Sequence, residues 1–335
     1  MKKVLLLVLV ALLATTGMLF ARGQEEYPAR DITNIVVWAA GGGTDLANRL
    51  VMAEMAKILK VNINVVNVTG GVGGSVGMLE AYSKPADGYT LAGISESIVT
   101  AGVQGGWDKR VSVWDYFIIG GSPDVLSVTP NAPYKNIKEL VEAMKANPKG
   151  IKAGASASGS IHHLNLLAFE KGTGAQFNFI PYTGSAPSQN AAMTGEVTVV
   201  ITSVQEQSEL LKAGKLRPLA MLTPEDFKFG DMTIPSAFKD YPDLAKYLPL
   251  EQQIGFAIRR DAPEPVKAKL REAFKQAIKA EPVQKFGRER FFTIKGIYGD
   301  EANKIFDKLE SVFSWTLWEL GAAKVDPAKL GIPKP

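Results

Sequence analysis

Again and again this chain runs a short β-branched segment into a turn of glycine, serine or threonine and then into an amphipathic helix. That alternation limits the fold more than any other feature. The clearest instance is the strand Ile32 to Ala40, which enters Gly41-Gly42-Gly43 and then a helix from Thr44 to Leu59. Leu46, Ala47, Leu50, Val51, Met55, Ile58 and Leu59 recur at helical spacing, with Thr44 available as N-cap and Asp45 in the first turn, where the helix dipole favours negative charge. A strand at Ile63 to Val68, a glycine turn at Thr69 to Ser75, a helix from about Val76 to Ser83 and a strand at Thr90 to Ile94 follow. Strand, helix, strand, helix, strand is the grammar of a parallel sheet with right-handed crossovers.

The pattern restarts later. Val125 to Thr129 is a strand, and Ile137 to Ala146 an amphipathic helix stopped by Asn147-Pro148-Lys149-Gly150. Ile151 to Ala155 then leads through Ser156-Ala157-Ser158-Gly159-Ser160 into a helix from Ile161 to Lys171, closed by Gly172. Phe177 to Pro181 leads through Tyr182-Thr183-Gly184-Ser185 into a short helix from Ala186 to Met193, with a proline near its start. Strands at Val197 to Ile201 and Leu216 to Leu222 flank a helix from Glu206 to Ala213, and Ser203 stands in the turn between. Beyond a strand at Gln253 to Arg259, helices from Pro263 to Lys279 and Ala302 to Leu320 fold back on the first part. A chain of 335 residues exceeds one small core. The expectation is two α/β domains, residues 24–124 plus 248–335 and residues 125–247, joined by a hinge of two crossing strands.

The glycine turns invite a nucleotide-binding reading, but the spacing fails. Gly70-Gly71-Val72-Gly73-Gly74-Ser75 lacks the last glycine of G-x-G-x-x-G, the Gly41 turn lacks the motif as well, and Gly214-Lys215 is followed by Leu216 rather than Ser or Thr. Serine hydrolysis fares no better. Gly154-Ala155-Ser156-Ala157-Ser158 misses the nucleophile elbow at its last residue. His162 and His163 are the only histidines, and adjacent helical residues point about 100° apart, so at most one can face the turn. With no cysteine, no H-E-x-x-H and no carboxylate cluster, metal and thiol chemistry have no foothold. No catalytic group, metal or cofactor is expected. What remains is a set of small-residue turns at carboxyl ends of strands, each before a helix whose first N–H groups lack partners. Spread over two domains, they make a cleft that grips an anion from both sides.

The segments Gly41 to Arg49, Gly70 to Gly77 leading to Pro85-Ala86-Asp87-Gly88-Tyr89-Thr90-Leu91, Ile180 to Pro187, and Leu211 to Ala220 resemble the extracytoplasmic solute receptors of the Bug family, also called TctC, the substrate-binding proteins of tripartite tricarboxylate transporters. The resemblance implies a two-domain periplasmic-binding-protein fold of the Venus-flytrap type. It also implies a ligand carboxylate held by backbone and hydroxyl donors, and delivery to membrane permease subunits. Residues Trp38, Ala39, Ala40, Gly41, Gly42, Gly43 and Thr44 would form the first-domain side of the site, with Asp45 orienting the turn and Arg49 pairing with Asp45. Ser156, Ser158, Ser160 and His162, then Tyr182, Thr183, Gly184 and Ser185, with Ser203, would form the second-domain side. Two positions depart from the family. Val37-Trp38-Ala39 stands where relatives often carry Pro-Phe or Pro-Tyr, and Glu96 stands where many carry small polar residues. A carboxylate at position 96 would suit an ammonium group on the ligand; the other reading is a solvent-facing loop glutamate.

The N-terminus sets the expected compartment. Lys2-Lys3, the unbroken apolar run Val4 to Leu13 and the smaller residues up to Ala21 have the layout of a signal peptide cut after Ala21. The apolar run breaks up early for a membrane span, and no second one follows. The mature chain is therefore expected in the periplasm, without a lipid anchor because there is no cysteine, as a monomer that captures a small organic acid. The formal charge of +4, two units of it in Lys2 and Lys3, gives no reason to expect nucleic acid as a partner. A receptor reporting to a sensor kinase, and a serine hydrolase using Ser158 or Ser160 with His162 or His163, are the alternatives.

Overall fold

The structure, a computed structural model, describes residues 26–335, so the expected signal segment lies outside the described residues. In chain order, β1 (Ile32–Val36), α1 (Gly43–Leu59), β2 (Ile63–Asn67), α2 (Ser75–Tyr82), β3 (Thr90–Ser95) and a 3-10 turn at Glu96–Thr100 come first. β4 (Trp114–Gly121) crosses into β5 (Asp124–Val128). Then come α3 (Ile137–Ala146), β6 (Lys152–Ala155), α4 (Ile161–Thr173), β7 (Asn178–Pro181), α5 (Ser185–Thr194), β8 (Val199–Ser203), α6 (Val204–Lys212) and β9 (Arg217–Met221). A hairpin of β10 (Phe227–Phe229) and β11 (Met232–Ile234) precedes β12 (Ile254–Arg259), α7 (Glu264–Ala277), α8 (Glu281–Arg290), β13 (Thr293–Tyr298) and α9 (Asp300–Glu319).

Side-chain alternation on strands buried from both sides dictates the layering. In β4, Tyr116 and Ile118 enter the core under α2 and α9, while Phe117 and Ile119 enter the core under α1 and α7. In the second sheet, Leu126 and Val128 of β5 join the core with α3 and α4, and Val125 joins the one with α5 and α6. Each sheet is thus sandwiched between helices. The first has six strands in the order β13-β4-β12-β3-β1-β2, and the second has five in the order β7-β6-β8-β5-β9. β1 pairs in parallel with both β2 and β3, as the strand–helix alternation requires, and β12 inserts antiparallel between β3 and β4.

The two sheets are connected twice. Ser122 and Pro123 carry β4 directly into β5, and the return passes through an extended segment ending at Gln253 before β12 begins. The two crossings touch, with Ser122 N–H donating to Gln252 Oε1 at 3.1 Å, and α6 joins them where Gln205 N–H donates to Ser122 Oγ at 3.1 Å.

Two helix limits differ from the sequence expectation for identifiable reasons. α1 begins at Gly43 with Gly42 as N-cap, so Thr44 lies inside the first turn rather than capping it. α4 continues through Gly172 and stops at Gly174, which supplies the left-handed cap at φ 69°. Gly172 serves close packing instead, since a Cβ there would stand 2.6 Å from a Leu244 methyl.

Candidate functional site

Five short first turns converge where the two sheets face each other. From the six-stranded side come the start of α1, beyond the turn that follows β1, and the Glu96–Thr100 turn, directly after β3. From the other side come the starts of α4, α5 and α6. Trp38, Gly42, Gly43, Thr44, Ser95, Glu96, Ser97, Ser156, Ser160, His162, Gly184, Ser185, Glu206 and Gln252 enclose a cavity of about 20 Å³, room for roughly one water-sized group. The jaws stand closed. Hydrogen bonds cross the gap: Ala39 N–H to Thr183 O (3.2 Å), Gly73 N–H to Ser158 O (3.2 Å), Ile161 N–H to Ser97 Oγ (2.9 Å), Thr100 Oγ1 to Gly159 O (2.6 Å) and Gly43 N–H to Glu206 Oε1 (2.9 Å).

The last of these belongs to the most charged group in the cleft. Ser203-x-x-Glu206 is a capping box at the start of α6, with Glu206 Oε2 accepting from both Ser203 N–H (3.0 Å) and Ser203 Oγ (2.9 Å). The same carboxylate stands 3.3 Å from His162 Nε2, while His162 Nδ1 meets Asp124 Oδ2 at 2.8 Å. Asn165 Nδ2 also donates to Asp124 Oδ2, at 2.7 Å. Burial pulls the His162 pKa down, but the Asp124 and Glu206 carboxylates more than offset it and hold the value well above that of a free histidine. Burial likewise pushes Glu206 up, yet the imidazolium and the N–H groups of Gly43 and Ser203 bring it to about 2. A buried imidazolium between two carboxylates is the result.

Glu96 is fully buried, which excludes the solvent-facing reading of this residue. Its Oε2 accepts from Gln253 N–H at 2.6 Å and its Oε1 from Ser97 Oγ at 2.8 Å. Burial raises its pKa, more than these donors and His162 lower it. Trp38 donates from its indole to Ser95 Oγ at 3.1 Å and forms one wall. Ser156 and Ser185 share a hydroxyl–hydroxyl bond of 3.1 Å, and Ser160 caps α4 by accepting from His163 N–H at 3.2 Å.

Several expected site residues lie elsewhere. Asp45 accepts from Gly41 N–H, Arg49 Nε and Asn67 Nδ2, each at 2.9 Å, so it holds the glycine turn and is turned away from the cavity. Ala40 and Gly41 are exposed outside the cavity. Tyr182 sends its hydroxyl to Glu196 Oε1 at 2.8 Å, and burial followed by that carboxylate raises its pKa to about 12. With Ser158 and Thr183 it lines an outer groove of about 430 Å³ that shares only Trp38 with the enclosed cavity. Ser203 is an N-cap and is absent from the cavity wall. Glu206, Gln252, Ser95 and Ser97 on the cavity wall, and Asp124 behind His162, are positions that the sequence did not point to. Only Glu206 had a local signature, the S-x-x-E capping box.

The hydrolase alternative has no geometry. Both nitrogens of His162 are taken by carboxylates. His163 accepts from Gly159 N–H at 3.1 Å, stacks on Phe179 with ring centroids 4.2 Å apart, and has its pKa lowered to about 4 by burial. Among the described residues, neither imidazole is hydrogen-bonded to a serine hydroxyl.

A family model described as "Tripartite tricarboxylate transporter family receptor" matches residues 47–302. The chain belongs to this family. It is a solute-binding receptor and not an enzyme. Among curated relatives, protein BugT of Bordetella pertussis is 31% identical over 226 residues, spanning 66% of this chain and 69% of that protein. A solved periplasmic transporter superposes with a TM-score of 0.80 at 27% identity, covering 89% of this chain and 99% of its own. R. palustris Rpa4515, solved with adipate, has the same TM-score and coverage at 23% identity and therefore speaks for the fold alone. These likenesses place the receptor in the two-domain fold of periplasmic binding proteins.

Proposed function

We propose that this receptor is exported to the periplasm, captures a small organic molecule bearing a carboxylate in the cleft between its two sheets, and hands it to the membrane permease of a tripartite transporter. The observation that carries the reading is the cavity wall itself. It is built from both domains and mainly from first turns of helices, where the helix dipoles favour an anion. The first turn of α5 has no side-chain cap, and Ser185 and Ala186 N–H have no protein acceptor among the described residues. With the hydroxyls of Ser156 and Ser185, these N–H groups are the natural seat for a ligand carboxylate.

A cavity of about 20 Å³ admits no organic acid, so binding requires the lobes, residues 24–124 plus 248–335 and 125–247, to swing apart at Ser122-Pro123 and the Gln252 segment. Selectivity then comes from closure, since a ligand shifts the equilibrium only by its differential affinity for the closed form. Thermal-shift screening of the mature protein against dicarboxylates, aromatic acids and amino acids tests the reading. At least one carboxylate should raise the melting temperature, and deletion of the receptor should abolish cellular uptake of that compound. Uptake that persists without the receptor would count against a transport role and favour reporting to a sensor kinase.

A further inference from the structure

The cleft is a paradoxical place for a bare dianion. Gly43 N–H, one of the backbone donors of the glycine turn, is already taken by the Glu206 carboxylate reaching over from the other domain. Asp124 and Glu206 share a single imidazolium, and Glu96 adds a third carboxyl group. Among the described residues, no lysine or arginine lines the cavity to balance them. Bringing a second or third negative charge into this enclosed, low-dielectric space would be opposed by these carboxylates, with one imidazolium already shared between two of them.

A further side chain points to what is missing. Gln205 is fully buried, and among the described residues neither its Oε1 nor its Nε2 has a hydrogen-bond partner. It sits against the cavity wall: its Oε1 stands 2.8 Å from where a Cβ on Gly43 would be, and Glu206 Oε1 stands 2.9 Å from the same point. A buried amide left unpaired is costly, so its retention calls for a partner. An ammonium group offers three donors and no acceptor. Glu96 and Glu206 each keep unused lone pairs, and the Gln205 carbonyl supplies the third acceptor. The Gln205 amide nitrogen remains free to donate to a carboxylate.

We infer that the ligand of this cleft carries a protonated amine seated among Glu96, Glu206 and the Gln205 amide oxygen, and is a zwitterion such as an amino acid rather than a bare di- or tricarboxylate. The inference rests on the cleft being the receptor's ligand site. Its carboxylate end occupies the α5 first turn, and its amine end occupies the acidic side around His162. Glu96 and Glu206 are then the residues that set specificity, and Asp124 positions His162 behind them.

Calorimetric titration of the mature protein with skeleton-matched pairs tests this: succinate with L-aspartate, glutarate with L-glutamate, and 4-methylpentanoate with L-leucine. The expected result is that the best binder is amine-bearing and that its amine-free counterpart binds at least a hundredfold more weakly. Glu206→Gln and Glu96→Gln should each shrink that ratio to tenfold or less. The ratio is the decisive readout, because a substitution that merely loosened closure would weaken both members of a pair alike. An amine-free acid binding as tightly as its partner, or a ratio unchanged in both variants, overturns the inference while leaving a carboxylate receptor standing. Silence from every member of all three pairs would overturn the inference and tell against the cleft as a carboxylate site as well.

Discussion

Replacing Gly43 by alanine should separate closure from folding. A Cβ at this position would lie 2.8 Å from Gln205 Oε1, 2.9 Å from Glu206 Oε1 and 3.1 Å from Ile254 Cδ1. The first two atoms belong to α6, across the cleft, and both are ends of flexible side chains. They can retreat, but only by giving up the 2.9 Å bond between Gly43 N–H and Glu206 that helps latch the closed form. Overpacking of this kind costs about 1–3 kcal/mol. With 1.4 kcal/mol per factor of ten, that becomes roughly 5- to 150-fold in ligand affinity. In an open form the methyl meets neither Gln205 nor Glu206, and alanine is favoured over glycine in a helix by up to about 1 kcal/mol. The variant should therefore fold normally while binding weakly. Calorimetry with the best ligand from the screen measures the affinity, and small-angle X-ray scattering with saturating ligand measures the residual opening. Wild-type affinity together with full compaction would refute the latch.

Two further substitutions test the packing around this frame, one through pH. His163 is buried and neutral, with its pKa at about 4 in the folded chain. A folded value below the unfolded 6.5 means that stability is lost as pH falls from about 6.5 toward 4. Between pH 7 and pH 4.5 this loss amounts to about 2.5 kcal/mol. Urea denaturation of the wild type and of His163→Gln at both pH values should show that much less acid sensitivity in the variant; equal sensitivity would remove His163 as the cause. Gly77 lies where α2 presses on the first sheet, and a Cβ there would stand 2.4 Å from the Val68 carbonyl oxygen and 3.0 Å from Val37 Cα. Backbone cannot yield as a side chain can, so Gly77→Ala should cost about 1–3 kcal/mol in chemical denaturation despite alanine's helix preference. A neutral or stabilising result would mean that α2 can shift off β1.

The parallel part of the first sheet was legible because glycine turns and helical periodicity bracket each strand. Ile137 to Ala146 is matched residue for residue by α3, whose N-cap Asn136 and terminal Asn147-Pro148 leave no ambiguity. Where the strand is buried throughout, the signal weakens. β4 carries Trp114, Tyr116 and Phe117 on a run buried throughout, with no polar alternation to mark it as a strand. β13, α8 and the β10–β11 hairpin were also unassigned. The hairpin is held through Phe227 and Phe229 against Phe291, a tertiary contact no local pattern reports. The site divided in the same way. Small residues after strands pointed to Gly42, Gly43, Ser156, Gly184 and Ser185 at the cavity. Glu206 and Asp124 gain their meaning only from His162, 44 and 38 residues away, once α4, α6 and β5 are brought together. Tyr182 lies outside the enclosed cavity because a tyrosine in a turn can face either way, and Glu196 draws its hydroxyl outward.

The most direct measurement is a crystal structure of the mature protein grown with the tightest ligand found by calorimetry. The expected result is ligand density between the first turn of α1 and that of α5, with a carboxylate within hydrogen-bond distance of Ser156 or the N–H groups of Ser185 and Ala186, in a cleft opened relative to the 2.9 Å Gly43–Glu206 contact or reclosed around the ligand. Density instead in the surface groove lined by Met144, Lys145, Glu170 and Leu320, with the cleft unchanged, would contradict the central claim.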